Sequence, residues 1–368
     1  MKRTSLYEIH KDAGATLVPF AGWEMPVSYA GTVSEVAATR TSAGIFDVSH
    51  MGEVRVEGEG AFDFVQSLTT NDVSKLVPGA AQYSLLLNEI GSVVDDVIVY
   101  CMGKNEYLIV LNAGCKEKDW DWLQAKAEGR PEVVLTDISD QKALIALQGP
   151  KAVPLLAEVL NKPGRERGYE RDYKLETVDR FRFVGIHEFG MQLIISRTGY
   201  TGEDGFEILC DWEDAPLLWK MLTVAGAVPC GLGARDVLRL EAAYPLYGHE
   251  LDDQHAPSAS GTGWAVKMGK GDFIGRPALL GRVQTEQLVG IQMDERAIPR
   301  EHYLVSNADG QVMGETTSGT WSPTIKAGIA MARVSRNAAA PGTPVSVNIR
   351  GREVPAKVTK LPFYRNGV

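Results

Sequence analysis

Apolar and polar residues alternate through Glu53-Val54-Arg55-Val56-Glu57, and beyond Gly58-Glu59-Gly60 the spacing of Phe62, Phe64, Val65 and Leu68 becomes roughly helical. A period of two puts neighbouring side chains on opposite faces of a strand, whereas apolar residues three and four apart share one helix face. A strand followed by a helix is therefore predicted. Residues 83–87 and 93–100 are β-rich runs joined by Asn88-Glu89-Ile90-Gly91, a hairpin signature, and 106–111 and 115–128 add a strand and a helix. The order β-α-β-β-β-α predicts a mixed α+β module rather than a doubly wound sheet.

A similar plan restarts at 143–147, where Gln148-Gly149-Pro150 ends a strand and 152–160 reads as a helix. Strands over 181–186 and 193–196, a glycine-rich turn, a strand into Leu209, and helices over 215–223 and 234–243 follow. This is either a second copy of the first module or the ordinary recurrence of strand-turn-helix units. Beyond Arg276 the texture changes to short alternating runs over 288–293, 312–317, 328–334, 344–349 and 355–360, separated by Gly, Pro, Asn and Asp. They predict a small all-β domain, a barrel or jelly roll, with a turn at Asn307-Ala308-Asp309-Gly310.

Composition adds bounds to this picture. A chain of 368 residues is long for one core, so two or three domains are expected, and 44% hydrophobic with 23% charged residues suits a globular protein. The formal net charge of -9 supplies no basic face for nucleic acid. Cys101, Cys115, Cys210 and Cys230 form no C-x-x-C pair and read as reduced thiols, and His187-Glu188 has no second His at helical spacing. No metal centre is implied. The polar start of the chain lacks a secretory core, and no apolar run is long enough to span a bilayer, which predicts a soluble, cytoplasmic protein with no membrane partner.

Three segments concentrate possible chemistry. Asp95 and Asp96 sit inside Val93-Val94-Asp95-Asp96-Val97-Ile98-Val99-Tyr100, so strand alternation sends them to opposite faces. A carboxylate held against apolar groups exchanges protons more readily near neutral pH; the alternative is a pair capping backbone amides near a hairpin end. In Arg197-Thr198-Gly199-Tyr200-Thr201-Gly202-Glu203-Asp204-Gly205-Phe206-Glu207, three glycines would let backbone approach a ligand, or simply form a hairpin turn. Arg235 and Arg239 lie one helical turn apart and either clamp a carboxylate or pair with Asp236 and Glu241. The aromatic segments at 20–26 and 320–323 offer rings for a flat ligand or for the core.

These segments together resemble the glycine cleavage T-protein family from end to end. The resemblance is carried by Val18-Pro19-Phe20-Ala21-Gly22-Trp23-Glu24-Met25-Pro26, Phe46-Asp47-Val48-Ser49-His50-Met51-Gly52, Asn112-Ala113-Gly114-Cys115, Ala146-Leu147-Gln148-Gly149-Pro150 and Thr317-Ser318-Gly319, together with the acidic, glycine-rich and arginine segments above. It implies an α+β fold of three domains in a cloverleaf around a central folate cavity: 1–52 plus 140–278, 53–139 carrying Asp96, and a β-barrel or jelly roll over 279–368. The implied activity is tetrahydrofolate-dependent aminomethyl transfer. The donor is the lipoyl arm of a separate H-protein, and the products are 5,10-methylenetetrahydrofolate, ammonia and dihydrolipoyl H-protein.

By the same resemblance Asp96 is the catalytic acidic residue, and Tyr83, Asp96, Asn112, Tyr200, Glu207, Arg235 and Arg365 contact folate, with Arg239 as the fallback to Arg235. The chain departs from the family pattern at Val36, where His is frequent, and at His249, where an amide is common. Two rival activities remain: a folate-dependent demethylase of a small methyl donor, and a non-enzymatic folate-binding iron–sulfur assembly factor. The second is expected to carry a K-G-C-type segment, whereas Lys267-Met268-Gly269-Lys270-Gly271-Asp272-Phe273 has no cysteine.

Overall fold

The computed structural model, which describes residues 1–161 and 173–365, opens with α1 (Tyr7–Asp12) and a hairpin of β1 (Thr16–Phe20) and β2 (Trp23–Ser28). After α2 (Thr32–Thr41) and β3 (Gly44–Asp47), the chain enters the first predicted unit. This unit comprises β4 (Gly52–Glu57), α3 (Ala61–Leu68), β5 (Ala80–Leu87), β6 (Val93–Gly103), β7 (Glu106–Leu111), α4 (Lys116–Ala127) and β8 (Val134–Asp137). Its five strands form one sheet in the order β5-β6-β7-β4-β8.

The second unit runs through β9 (Lys142–Gln148), α5 (Ala152–Asn161), β10 (Phe183–Glu188), β11 (Met191–Ser196), β12 (Gly205–Asp211), α6 (Ala215–Val224), β13 (Val228–Pro229) and α7 (Leu232–Glu241). Its sheet order is β10-β11-β12-β9-β3-β13. The run β10-β11-β12-β9 repeats β5-β6-β7-β4 with the same chain connectivity, so the second unit does copy the topology of the first. Beside β9, β3 occupies the place that β8 holds beside β4, and β13 adds a short parallel pairing beyond it. The two sheets meet at corresponding edges, where the Ala81 amide donates to Phe181 O at 2.8 Å and the Phe183 amide to Gly79 O at 2.9 Å.

Alternation along β6 decides what each sheet face covers. Val97, Val99 and Cys101 point into a core shared with Phe64, Val65 and Leu68 of α3 and Leu123 of α4, while Tyr100 points toward the second sheet. There it joins Leu108 and Val110 of β7, Leu144 and Ala146 of β9, and Ala234 and Leu238 of α7. Burying each large apolar side chain contributes roughly 1.5–3 kcal/mol, which fixes the register that also aims the acidic pair.

After α8 (Arg276–Leu279), the tail forms β14 (Glu286–Met293), β15 (Leu304–Ser306), β16 (Val312–Ser322), β17 (Ala327–Ser335), β18 (Pro344–Ile349) and β19 (Arg352–Thr359). They close as a barrel in the order β14-β17-β16-β15-β18-β19, which decides between barrel and jelly roll. The barrel is tied to α7 by Ser322 Oγ and Thr324 Oγ1, which donate to the Glu241 carboxylate at 2.6 and 3.0 Å. No helix among the described residues is long and apolar enough to cross a membrane.

Candidate active site

A cavity of about 1370 Å³ opens where the two sheets, α7 and the barrel converge. The first sheet contributes Tyr83, Asp96 and Asn112 to its wall, the second unit Tyr200, Glu207 and Arg235, and the barrel Ser318 and Gly319. Arg365 is not brought there: it is exposed and outside the cavity lining. The reason is the course of the preceding residue, since the Tyr364 amide donates to Glu241 O at 2.8 Å and its ring packs 4.0 Å from the Arg40 guanidinium.

Asp96 and Asp95 part company as strand geometry requires. Asp96 lines the cavity, whereas Asp95 is fully buried and approaches Cys115 and Asp119. Asn112, one residue past β7, bridges the two. Its Nδ2 donates to Asp96 Oδ1 at 2.7 Å and to Asp95 Oδ1 at 2.9 Å, and its amide N–H donates to Asp95 Oδ2 at 3.2 Å. Although Asp96 keeps some surface toward the cavity, its dense surroundings disfavour the charged form, and the neighbouring charge of Asp95 adds to this. Its pKa is pushed up to about 7, against the opposing influence of Tyr83 and Asn112. The buried Tyr83 hydroxyl makes no hydrogen bond of ordinary geometry among the described residues, and burial followed by the charge of Asp96 holds its pKa well above the usual phenol value.

The two arginines of α7 have different fates. Arg239 is locked: it donates to Asp236 at 2.8 Å, Glu250 at 2.9 Å and Ser318 Oγ at 2.8 Å, and is buried. Arg235 makes no hydrogen bond or ion pair among the described residues; it lies over the Tyr200 ring at 4.8 Å, and burial lowers its pKa. A half-buried guanidinium without a hydrogen-bond or ion-pair partner carries unused donor capacity into the cavity. Glu241 pairs with neither arginine of its helix but with Arg40, whose Nη2 lies 2.7 Å away and whose Nη1 reaches Glu203 at 2.8 Å.

The glycine-rich segment needs its glycines to pack against the protein itself, and Gly199 and Gly205 also line the cavity. A Cβ at Gly199 would stand 1.9 Å from Gln148 Oε1, one at Gly205 would stand 2.2 Å from Leu147 O, and one at Gly202 would meet Ala242 at 2.8 Å. The segment is thus folded tightly against β9 and the end of α7, and this packing presents Tyr200 to the cavity. The Tyr200 hydroxyl donates to Pro245 O and its ring stacks on Tyr244 at 5.8 Å, while Glu207 accepts from Thr198 Oγ1 at 2.6 Å.

Two wall residues carry no role in the sequence reading. His50 has a buried, unpartnered Nδ1, and burial lowers its pKa to about 4, so it faces the cavity as a neutral ring beside Arg235. Trp264 stacks on Tyr83 at 5.4 Å. His50 lies in one of the motif segments and was open to detection; Trp264 stands in a Gly-Thr-Gly-Trp stretch with no periodic signal. Of the aromatic segments, Phe20 lines the cavity and Trp321 does not.

Over residues 6–270 the chain matches the GCVT N-terminal domain, and over 286–365 the glycine cleavage T-protein C-terminal barrel domain. It is 47% identical over 379 residues to an aminomethyltransferase of Symbiobacterium thermophilum, covering 100% of this chain and 98% of that protein. With an aminomethyltransferase of Geobacillus kaustophilus it shares 47% identity over 375 residues, covering 99% of each. The crystal structure of glycine cleavage system aminomethyltransferase T from Bartonella henselae matches the fold with a TM-score of 0.88 at 33% identity, covering 99% of this chain and 98% of that one.

Proposed function

The chain belongs to the glycine cleavage T-protein family, and on that premise we propose how its own residues carry out the reaction. It is an aminomethyltransferase of the glycine cleavage system, with tetrahydrofolate as the one-carbon acceptor of its family. The donor in this reading is the aminomethyl-lipoyl arm of H-protein. The carbon loses its bonds to the lipoyl sulfur and the amine nitrogen and gains bonds to N5 and N10 of folate. The two protons released from those folate nitrogens balance the lipoyl thiol and ammonia, so a group that takes a proton from folate and returns it to the leaving amine serves both halves of the exchange.

Asp96 is that group. A carboxyl with a pKa near 7 is charged often enough to accept a proton and neutral often enough to return it, and its charge steadies the cationic character that develops on carbon. Tyr83, Asn112, Tyr200 and Glu207 surround the pterin, and Arg235 meets the anionic or polar end of folate. Arg365, away from the wall, is left out of this set. The division into 1–52 with 140–278, 53–139 and 279–368 is the domain arrangement we adopt. The observation that carries the reading is the single cavity wall on which a proton-exchanging carboxylate and an unpartnered arginine coincide. The purified protein with tetrahydrofolate is expected to release ammonia from aminomethylated H-protein and to be inert with free methyl donors; the reverse pattern defeats it.

A further inference from the structure

Behind the cavity wall lies a group of side chains to which the proposed chemistry gives no role. A carboxylate oxygen of Asp95, one of Asp119 and the Cys115 sulfur all lie within 4.8 Å of one another, and all three residues are buried. Asp119 is brought there by the first turn of α4, and neither of its oxygens meets a hydrogen-bond donor among the described residues. Lys118 stands beside it, with Nζ 3.6 Å from Asp119 Oδ1, 3.9 Å from the centre of the Tyr247 ring, and donating to Val94 O.

We propose that Asp119 is a positioning residue for the transfer: it is the neutral partner that shares one proton with Asp95 and thereby keeps Asp95 an ionised, fixed acceptor for Asn112. Two carboxyl groups this close in a buried site do not both ionise. The charge settles on Asp95 because both of its oxygens already accept from Asn112, whereas those of Asp119 accept from nothing. Burial, then the charge of Asp95, pushes the Asp119 pKa up to about 10, and burial likewise raises the Cys115 thiol, which stays protonated. Lys118 is the cation beside this acidic group, 3.6 Å from Asp119 Oδ1. Around Asp96 itself stand Asp95, Tyr83, Tyr200 and Asn112, so Asp95 is the single anion directly behind it. The proton on Asp119 is what makes that count one rather than two, and what leaves the Asn112 amide pinned between the carboxylates.

The kinetic side of this inference rests on the reading of Asp96 as the group that moves the proton; its spectroscopic side does not. Difference infrared spectra of the wild type against Asp119→Asn at neutral pH are expected to contain the carbonyl band of a protonated carboxylic acid, lost in the variant; absence of that band overturns the proposal. Asp119→Asn retains a neutral donor and is expected to keep kcat within about threefold and leave the pH dependence of kcat in place. Asp119→Ala removes the donor and leaves the Asp95 carboxylate held by Asn112 alone. Its kcat falls at least about tenfold with KM for folate little changed. Equal impairment of the two variants, or a folded Asp119→Ala protein with unaltered kinetics, overturns the proposal, as does a stoichiometric metal ion in the purified wild type. If Asp119→Ala does not fold, the infrared band and the Asp119→Asn profile still decide. Full turnover by Asp96→Asn would defeat the role of Asp96 while leaving the infrared band intact.

Discussion

The two sister sheets share strand order and connectivity, yet the acids beside them are held in different ways. In the second unit three acids are held by arginines: Asp204 meets Arg197 at 2.6 Å, and Arg40 holds both Glu203 and Glu241. In the first unit, strand β6 carries Asp95 and Asp96 against α4 and the cavity, with Asp96 raised to about 7 and Asp119 to about 10. The corresponding strand β11 carries Met191-Gln192-Leu193-Ile194-Ile195-Ser196 and no acid. One topology therefore serves two ends: paired charges fix a shape, and underpaired carboxylates hold a proton that can be moved. Charge pairing lowers the energy of the fold, whereas poor solvation of a carboxylate is tolerated where chemistry needs it.

Substitutions can break that contrast from either side. The largest effect is expected from Asp96→Asn, which keeps an acceptor for Asn112 and the shape of the wall but removes the exchangeable proton. Turnover should fall by about 10²–10⁴-fold with folate affinity nearly unchanged, as steady-state kinetics and a folate titration would measure. Next is Arg40→Ala, which strands Glu203 and Glu241 without their cation. A loss of about 3–5 kcal/mol in urea unfolding is expected, far more than at an exposed ion pair. Smallest is Arg235→Gln, predicted to weaken folate binding by about 10–100-fold while leaving the unfolding midpoint nearly in place, because its guanidinium has no hydrogen bond or ion pair to lose among the described residues, only its contact with the Tyr200 ring. If Arg235→Gln unfolded the protein as readily as Arg40→Ala, the distinction between free and committed arginines would be wrong.

Strands with strict alternation or long β-branched runs were legible in the sequence, as β4, β6 and β7 illustrate, because one buried face forces the pattern. The three-residue β15 and the two-residue β13 were not, since so short a segment carries no period. Duplication stayed open because strand order depends on long-range pairing that no local window contains. Alternation separated Asp95 from Asp96 in advance. It could not separate Arg235 from Arg239, which share one side of α7; the partners that lock Arg239, Glu250 and Ser318, are 11 and 79 residues away in sequence. Asp119 was invisible for a related reason: Lys118-Asp119 at the start of a helix looks like a solvated pair until tertiary packing closes over it. The glycines at 199, 202 and 205 were visible as a cluster, but only the structure reveals that they clear β9 and α7.

The central claim is that Asp96 exchanges a proton near neutral pH, and the pH dependence of single-turnover carbon transfer tests it most directly. A raised carboxyl pKa means that Asp96 is neutral below about 7 and charged above it, so the form that accepts the folate proton is populated as pH rises. With saturating aminomethylated H-protein and tetrahydrofolate, the account predicts a rate that climbs about tenfold per pH unit below that value and levels above it. In Asp96→Asn this limb should vanish, leaving a slow, flat residual rate. A limb at the ordinary aspartate range near about 4, or one that survives in Asp96→Asn, would contradict the account.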